Sequence, residues 1–265
     1  MSDYKKSLIQ ISNIIAANNR DIVGHIIETR RVELSGLVQK HLKNTVAHGP
    51  LTGLIMSERT HWSASDKAAM LLGLYEAEVV QLIQSLSGKY STFIDVGAGE
   101  GNYAAGMLVG KHFAKTICYE LTDTGREVIA DVARLNGIGG ELDIRGAADK
   151  GFYLELTDVP PEECLVLIDV EGHEFTLMDE AFFAHFSKSD IIVELHDFMV
   201  ENGKAKLDQL IGAASESHTY RAVTTGPRDP SKFQELRMLS DTDRWLICSE
   251  GRPRLMVWLH FQPRT

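Results

Sequence analysis

A doubly wound α/β fold with a mostly parallel, seven-stranded sheet behind an N-terminal helical extension is what the sequence predicts. Three observations carry it. Beyond Gly88, short apolar runs alternate with stretches of helical periodicity, the rhythm of parallel strands joined by right-handed helical crossovers. The first of these runs ends in a glycine-rich turn, Asp95-Val96-Gly97-Ala98-Gly99-Glu100-Gly101, placed as in folds that hold a nucleotide-like ligand at the carboxyl edge of the sheet. Before Gly88, apolar residues recur only at helical spacing. The sheet is therefore Rossmann-like, and the chain divides into an extension or lid over residues 1–88 and an α/β domain over residues 89–265.

In the extension, Leu8, Ile11, Ile14 and Ile15 share a helical face, as do Ile22, Ile26 and Ile27, and then Leu34, Leu37, Val38 and Leu42, before Gly49-Pro50 ends the pattern. Amphipathic helices must cover something, so these read either as a lid on the α/β domain or as an arm that joins a homodimer. Leu51 to Trp62 is irregular. Ser65 or Asp66 caps a helix through Met70, Leu71 and Leu74 that Gly73 weakens, and Glu76 to Leu86 forms another that stops at Gly88. The expected strands are Thr92 to Val96, Thr116 to Glu120, Leu142 to Ala147, Leu165 to Val170, Ile191 to His196, Tyr220 to Thr225 and Leu255 to Phe261. Between them lie helices at Asn102 to His112, Asp123 to Leu135, Glu174 to Phe186 and Gly203 to Ser215, while Asp241 to Glu250 reads as helix or strand, with helix favoured.

At 265 residues, 44% of them hydrophobic and 24% charged, the chain has enough apolar material for one large α/β domain with an appendage. A formal net charge of -10 argues against a nucleic-acid partner, which needs clustered Lys and Arg. The apolar N-terminal stretch is broken by Gln10, Ser12 and Asn13, unlike a signal peptide, and no apolar run reaches the ~20 residues that cross a bilayer. Cys118, Cys164 and Cys248 show neither CxxC nor zinc-ligand spacing and read as buried thiols of a reducing compartment. A cytoplasmic protein without a membrane partner is expected.

Three features define the ligand of the glycine loop. Asp95 places a carboxylate in a strand that a dinucleotide fingerprint keeps apolar, which suits a positively charged ligand. Counted from Gly97, G-x-G-x-x-G needs glycine at 102, where the residue is Asn102, so NAD and FAD fit poorly. About twenty residues beyond the loop, the next strand closes on Glu120, whose carboxylate can accept hydrogen bonds from ribose hydroxyls. With this pattern the sequence resembles the class I S-adenosylmethionine-dependent methyltransferases. The resemblance implies that Asp95, Gly97, Gly99 and Gly101, with Ala98, Asn102, Tyr103 and Asp169 beside them, surround the cofactor. It also implies that Glu120 holds the ribose and that Ala147, Ala148 and Asp149 flank the adenine.

Two further stretches, Ile168-Asp169-Val170-Glu171-Gly172-His173-Glu174 and Ile191-Ile192-Val193-Glu194-Leu195-His196-Asp197, end buried strands in ionisable groups at the same sheet edge. Together they resemble the FkbM family of methyltransferases, over roughly residues 90 to 200. That likeness implies methylation of a small-molecule hydroxyl on a natural product or a sugar. His173 departs from the small residue usual there, and the helical N-terminus is long. Leu71-Leu72-Gly73-Leu74-Tyr75-Glu76, Gly251-Arg252-Pro253 and Trp258 look like segments of uncharacterised relatives. Displacement at a sulfonium methyl needs an aligned acceptor and a base. His196 and His173 are the candidate bases, since imidazole titrates near pH 6.5, with Asp169 and Glu194 to orient base or substrate. The same groups offer a metal alternative, in which Asp169, Glu194, His196 or Asp197 binds Mg or Mn. Tyr75, Tyr103 and Trp62 are candidate aromatic faces for the sulfonium, or packing residues. A peptide or protein side chain as acceptor, and a non-catalytic cofactor-binding protein, are the competing functions.

Overall fold

The computed structural model describes residues 6–7, 9–10, 12–13, 22–252 and 254–264. The helical face expected from Leu8, Ile11, Ile14 and Ile15 lies outside them, as does Pro253. Helix α1 (Ile22–Leu42) runs unbroken for 21 residues. It buries Leu34 and Val38 as expected, but Ile26, Ile27 and Leu37 are exposed, because Arg31 and Ser35 occupy the docked face instead. The buried Arg31 guanidinium donates to Ser65, to Asp66 and to the Ser249 carbonyl, which fixes which side of the helix turns inward. Ser65 and Asp66 are thereby drawn away from capping, and α2 (Lys67–Leu71) starts after Asp66 with no side-chain cap. It stops short of Gly73, whose φ of +67 and place 2.2 Å from the His48 carbonyl oxygen, measured from an added Cβ, admit only glycine. Helix α3 (Ala77–Leu86) follows. Val46, Leu54, Met70, Leu71, Val79 and Ile83 share one core with Phe93, Leu165, Leu167, Ile192 and Trp258, so this segment covers a face of the sheet.

The remaining chain runs β1 (Thr92–Val96), α4 (Asn102–Val109), β2 (Lys115–Tyr119), α5 (Asp123–Leu135), β3 (Leu142–Arg145), β4 (Cys164–Ile168), α6 (Glu174–Leu177), α7 (Glu180–His185), β5 (Ile191–Glu194), α8 (Gly203–Ala214), β6 (His218–Thr224), α9 (Asp241–Ile247) and β7 (Val257–Pro263). The seven strands form one sheet in the order β3-β2-β1-β4-β5-β7-β6. Pairings among β1 to β5 are parallel, and β7 runs antiparallel to β5 and β6. The predicted fold class is the observed one. Strands β1 and β4 are buried along their whole length, as expected of parallel strands covered on both faces. The chain winds outward through β2 and β3 on one side of β1 and through β4 and β5 on the other. The β1–β4 boundary is therefore the switch point where open α/β sheets bind ligands.

The single helix expected over Glu174 to Phe186 is two. The chain leaves helical geometry at Met178, and the Asp179 side chain then accepts from the Phe182 N–H at 2.9 Å to start α7 afresh. All three cysteines are buried and free. Among the described residues no helix is long and apolar enough to cross a membrane.

At the opposite edge of the sheet from the loop, buried Asp190 accepts from His260 Nε2 (2.6 Å), the Tyr90 hydroxyl (2.7 Å) and Lys89 Nζ (2.8 Å), tying the starts of β1 and β5 to β7. Burial alone would raise this carboxyl, but the His260, Lys89 and Tyr90 donors outweigh it and hold the group at about 2. A carboxylate whose folded value lies below its unfolded value of about 3.9 stabilises the fold above that pH and loses the contribution as pH falls through about 2. Asp190→Asn is thus expected to unfold at lower urea than wild type near pH 7, with the gap closing between about pH 4 and pH 2. A gap constant across that range would show that Asp190 is not held ionised.

Candidate active site

The loop after β1 is shaped by a backbone collision. A Cβ on Gly97 (φ +96) would lie 1.7 Å from the Asp169 carbonyl oxygen, and the Asp169 N–H in turn donates to the Val96 carbonyl at 2.9 Å. Gly101 (φ +79) abuts Ile129 of α5 at 3.3 Å, whereas Gly99 (φ +55) meets nothing within 4 Å. Two of the three glycines therefore carry packing, and Gly99 borders open space. Four of the loop amides are bonded internally. Gly97 and Ala98 donate to the Tyr119 carbonyl, Gly101 to the Ala98 carbonyl and Gly99 to Glu120 Oε2. A pyrophosphate needs such amides free, so these four are closed to a dinucleotide, which adds to the argument from the glycine count.

Asp95, 1% exposed, accepts from the Ala104 N–H at the start of α4, yet its Oδ2 is buried without a hydrogen-bond partner. Burial first, and then the nearby Asp169 carboxylate, push its pKa up to about 8. Asn102 Oδ1 is likewise buried and unpartnered. Glu120, just past the end of β2, accepts from Gly99 N, Thr122 N and Thr122 Oγ1. Of the roughly four lone-pair directions of a carboxylate, about one is left for a ligand hydroxyl. Ala147 and Asp149 are exposed after β3, while Ala148 rests against the core.

A segment of the extension closes over this loop. Glu100 accepts from the His61 and Trp62 N–H groups and from Lys67 Nζ, in an ion pair exposed by only 1% on the lysine side and 0% on the glutamate side. His61 Nε2 bonds Thr122 Oγ1 at 2.9 Å and so sits above Glu120. Trp62 is 55% exposed. Removing one partner of a fully buried pair leaves an uncompensated charge, at a cost of about 3–5 kcal/mol. Lys67→Met is expected to lose stability of that order in urea unfolding, and adding Glu100→Gln to recover much of it. If the double variant were no better than the single, the pair would not be the cause.

Across the switch point the strand ends gather carboxylates. Arg252 donates to Glu194 Oε1 (2.7 Å), to Glu250 Oε2 (3.0 Å) and to Glu76, and its guanidinium lies over the Tyr75 ring at 5.5 Å. The Tyr103 hydroxyl donates to Glu76 Oε2 at 2.5 Å. Both tyrosines are thus engaged by Arg252 and Glu76. Burial raises Glu76 to about 7 even with Arg252 opposing it. Burial, Asp169 and Glu76 raise Glu194 far above the carboxylate range, while Asp169 is raised by burial and drawn back by His196. Carboxylate oxygens of Asp169 and Glu194 lie within 4.8 Å of each other, and the raised pKa of Glu194 favours its protonated form. Negative charge outweighs positive here.

His196, 2% exposed, is ringed by acids: Nε2 lies 3.3 Å from Glu171, 3.7 Å from Glu194 and 3.9 Å from Asp169, and Nδ1 lies 3.6 Å from Glu174. Burial would lower its pKa, but Glu174, Asp169 and Glu171 more than offset that and favour the imidazolium. A histidine so held is a poor proton acceptor. Buried Glu174 accepts from the His196 N–H (2.8 Å) and the Gly172 N–H (2.7 Å), stitching the ends of β4 and β5 together. His173 stands exposed at the start of α6, and neither it nor Asp197 belongs to the groups whose donor atoms converge.

Asp169, Glu194 and His196 are therefore brought together, and Asp95 lies close enough to Asp169 to feel its charge. Glu171, Glu174, Glu76, Arg252 and Glu100 stand in the sequence motifs with no role attached, and His61 and Lys67 lie outside those motifs. Arg252 and Glu76 are 176 residues apart, and no spacing rule pairs them.

No family model matches this chain and no curated protein matches it, so the FkbM likeness rests on the motifs alone. Solved structures with a similar chain trace include cofactor-bound Rv0187 from MTB (13% identity, 74% of this chain and 88% of that one, TM-score 0.48). Others are the ribosomal protein L11 methylase of Lactobacillus delbrueckii subsp. bulgaricus (15%, 80% and 86%, TM-score 0.45) and the M1A22 tRNA methyltransferase TrmK of B. subtilis (10%, 69% and 64%, TM-score 0.44). With likenesses this distant, the chemistry rests on the chain's own side chains.

The two kinds of loop glycine separate experimentally. Gly97→Ala drives a methyl into the Asp169 carbonyl and is expected to lower the melting temperature far more than Gly99→Ala, which bears only the left-handed backbone strain of about 1–2 kcal/mol. Equal losses in thermal melts would contradict the close approach.

Proposed function

We propose that the chain is an S-adenosylmethionine-dependent methyltransferase that methylates a hydroxyl of a small molecule, a natural product or a sugar, as its FkbM-like motifs imply. The observation that carries this is Asp95. Its carboxylate is buried with one oxygen unpartnered, beside a loop with four amides already bonded and next to a surplus of acids. Such a site repels phosphate and suits a ligand that brings positive charge and hydroxyls. The donor set fits the cofactor: Asp95 and Asn102 offer unpartnered buried acceptors, Gly99 borders open space, and Glu120 keeps about one acceptor direction for a ribose hydroxyl.

S-adenosylmethionine, when bound, supplies an electrophilic methyl group on a sulfonium. The chain's residues then hold the acceptor in line and remove its proton. Asp169 is the best-placed base: neighbouring Glu194 favours its own protonated form, Asp169 Oδ1 is unpartnered, and burial makes Asp169 a stronger base than an ordinary carboxylate. His196, favoured as imidazolium, positions Asp169 and Glu171. Arg252 keeps Glu76 and Glu194 in place behind them.

Calorimetry is expected to show S-adenosylmethionine binding that Glu120→Ala weakens about tenfold or more, the loss of a charge-assisted hydrogen bond, with no binding of NAD. Affinity for NAD and none for S-adenosylmethionine would overturn the proposal. With a metabolite pool as acceptor source, S-adenosylhomocysteine should accumulate, and Asp169→Asn should slow this by about 10²–10⁴ while still binding cofactor. An unchanged rate in that variant would remove Asp169 as base.

A further inference from the structure

We infer that Asp169, Glu171 and His196 form a binding site for a divalent first-row transition-metal ion. Their donor atoms all lie within 4.8 Å of one another. His196 Nε2 is 3.3 Å from Glu171 Oε2 and 3.9 Å from Asp169 Oδ1. Donors that each sit about 2.1 Å from one ion are separated by roughly 3–4 Å, the spacing that His196 Nε2 keeps to each carboxylate. At these separations His196 Nε2 faces both carboxylates, Asp169 Oδ1 is buried without a hydrogen-bond partner, and the His196 side chain is only 3% exposed, its Nδ1 turned the other way towards Glu174. A buried imidazole nitrogen and an unpartnered buried carboxylate oxygen that converge with a third donor suit a cation.

A second trio, Glu76, Asp169 and Glu194, has similar spacing. There Arg252 already bridges Glu76 and Glu194. An ion would have to displace a guanidinium from a buried position. The first trio has no such competitor, and it is reachable: the Glu171 side chain is 42% exposed and that of Asp169 24%. Asp197 is outside both trios, so the ligand set differs from the one expected from the strand-end motif alone. One imidazole with two carboxylates suits manganese, iron or zinc better than magnesium, which prefers oxygen donors and retained water.

The binding does not depend on methyl transfer. An ion would displace the proton from His196 Nε2. Its use does rest on that proposal: an ion at the carboxyl edge, between the ends of β4 and β5, would lower the pKa of an acceptor hydroxyl and fix its oxygen, so that Asp169 serves as a ligand with the ion bound and as the base without it.

The test uses the full chain, untagged, stripped with EDTA and desalted. Titration with MnCl2, followed by calorimetry and electron paramagnetic resonance, is expected to show about one ion per chain at micromolar affinity, with nitrogen coupling from an imidazole. MgCl2 should bind at least tenfold more weakly. Glu171→Gln, at an exposed position that tolerates change, and His196→Ala should each weaken Mn2+ binding tenfold or more, and the second should abolish the nitrogen coupling. His173→Ala should change neither. Binding weaker than about 1 mM, or Mn2+ affinity unmoved in Glu171→Gln, would overturn the site. S-adenosylmethionine titrated separately into the stripped protein distinguishes that failure from failure of the methyltransferase proposal.

Discussion

Gly97 and the Asp169 carbonyl meet so closely that no side chain can come between them. This contact, together with the Asp169 N–H bond to Val96, locks the turn after β1 onto the end of β4. Everything at the switch point follows from it. The turn presents Gly99 outward with four of its own amides bonded, and the Asp169 side chain is delivered beside the loop, where Asp95 feels its charge. A parallel sheet makes such convergence unavoidable, because all carboxyl ends of its central strands open on one edge.

What that edge collects is acid. Glu76, Asp95, Asp169, Glu174 and Glu194 are drawn into or against the interior, with Arg252 and His196 as their cationic partners. The raised pKa values of Asp95 and Glu76 measure the same imbalance, since burial and like charge both disfavour the ionised form. A site tuned this way gains more from an arriving positive charge than a solvated surface would. The opposite edge is organised the other way. There Asp190 is over-supplied with donors and stays ionised, a structural tie with no chemistry left over.

The extension completes the site. Lys67 neutralises Glu100 in the interior, and the backbone at His61 and Trp62 is hung on the same carboxylate, so the segment before α2 is fastened to the loop it covers. Arg31 anchors α1 to the same segment through Ser65 and Asp66, which explains why the apolar face expected from Ile26, Ile27 and Leu37 turns outward.

Much of the fold was legible in the sequence because it depends on local periodicity. Thr92 to Val96 and Asp123 to Leu135 were bounded as observed, since strand burial and the Thr122 cap act over a few residues. The break at Asp179 was hidden inside an apolar pattern that continues on both sides of it. At the site, the sequence by itself determined which residues end the strands: Asp95, Glu120, Asp169, Glu194 and His196. Only the tertiary structure decided that Arg252 faces Glu76, that Lys67 faces Glu100 and that Glu171 rather than Asp197 joins His196. The physical reason is that strand order is written in hydrophobic rhythm, whereas charge pairing in a buried site depends on distances set by packing between segments far apart in the chain.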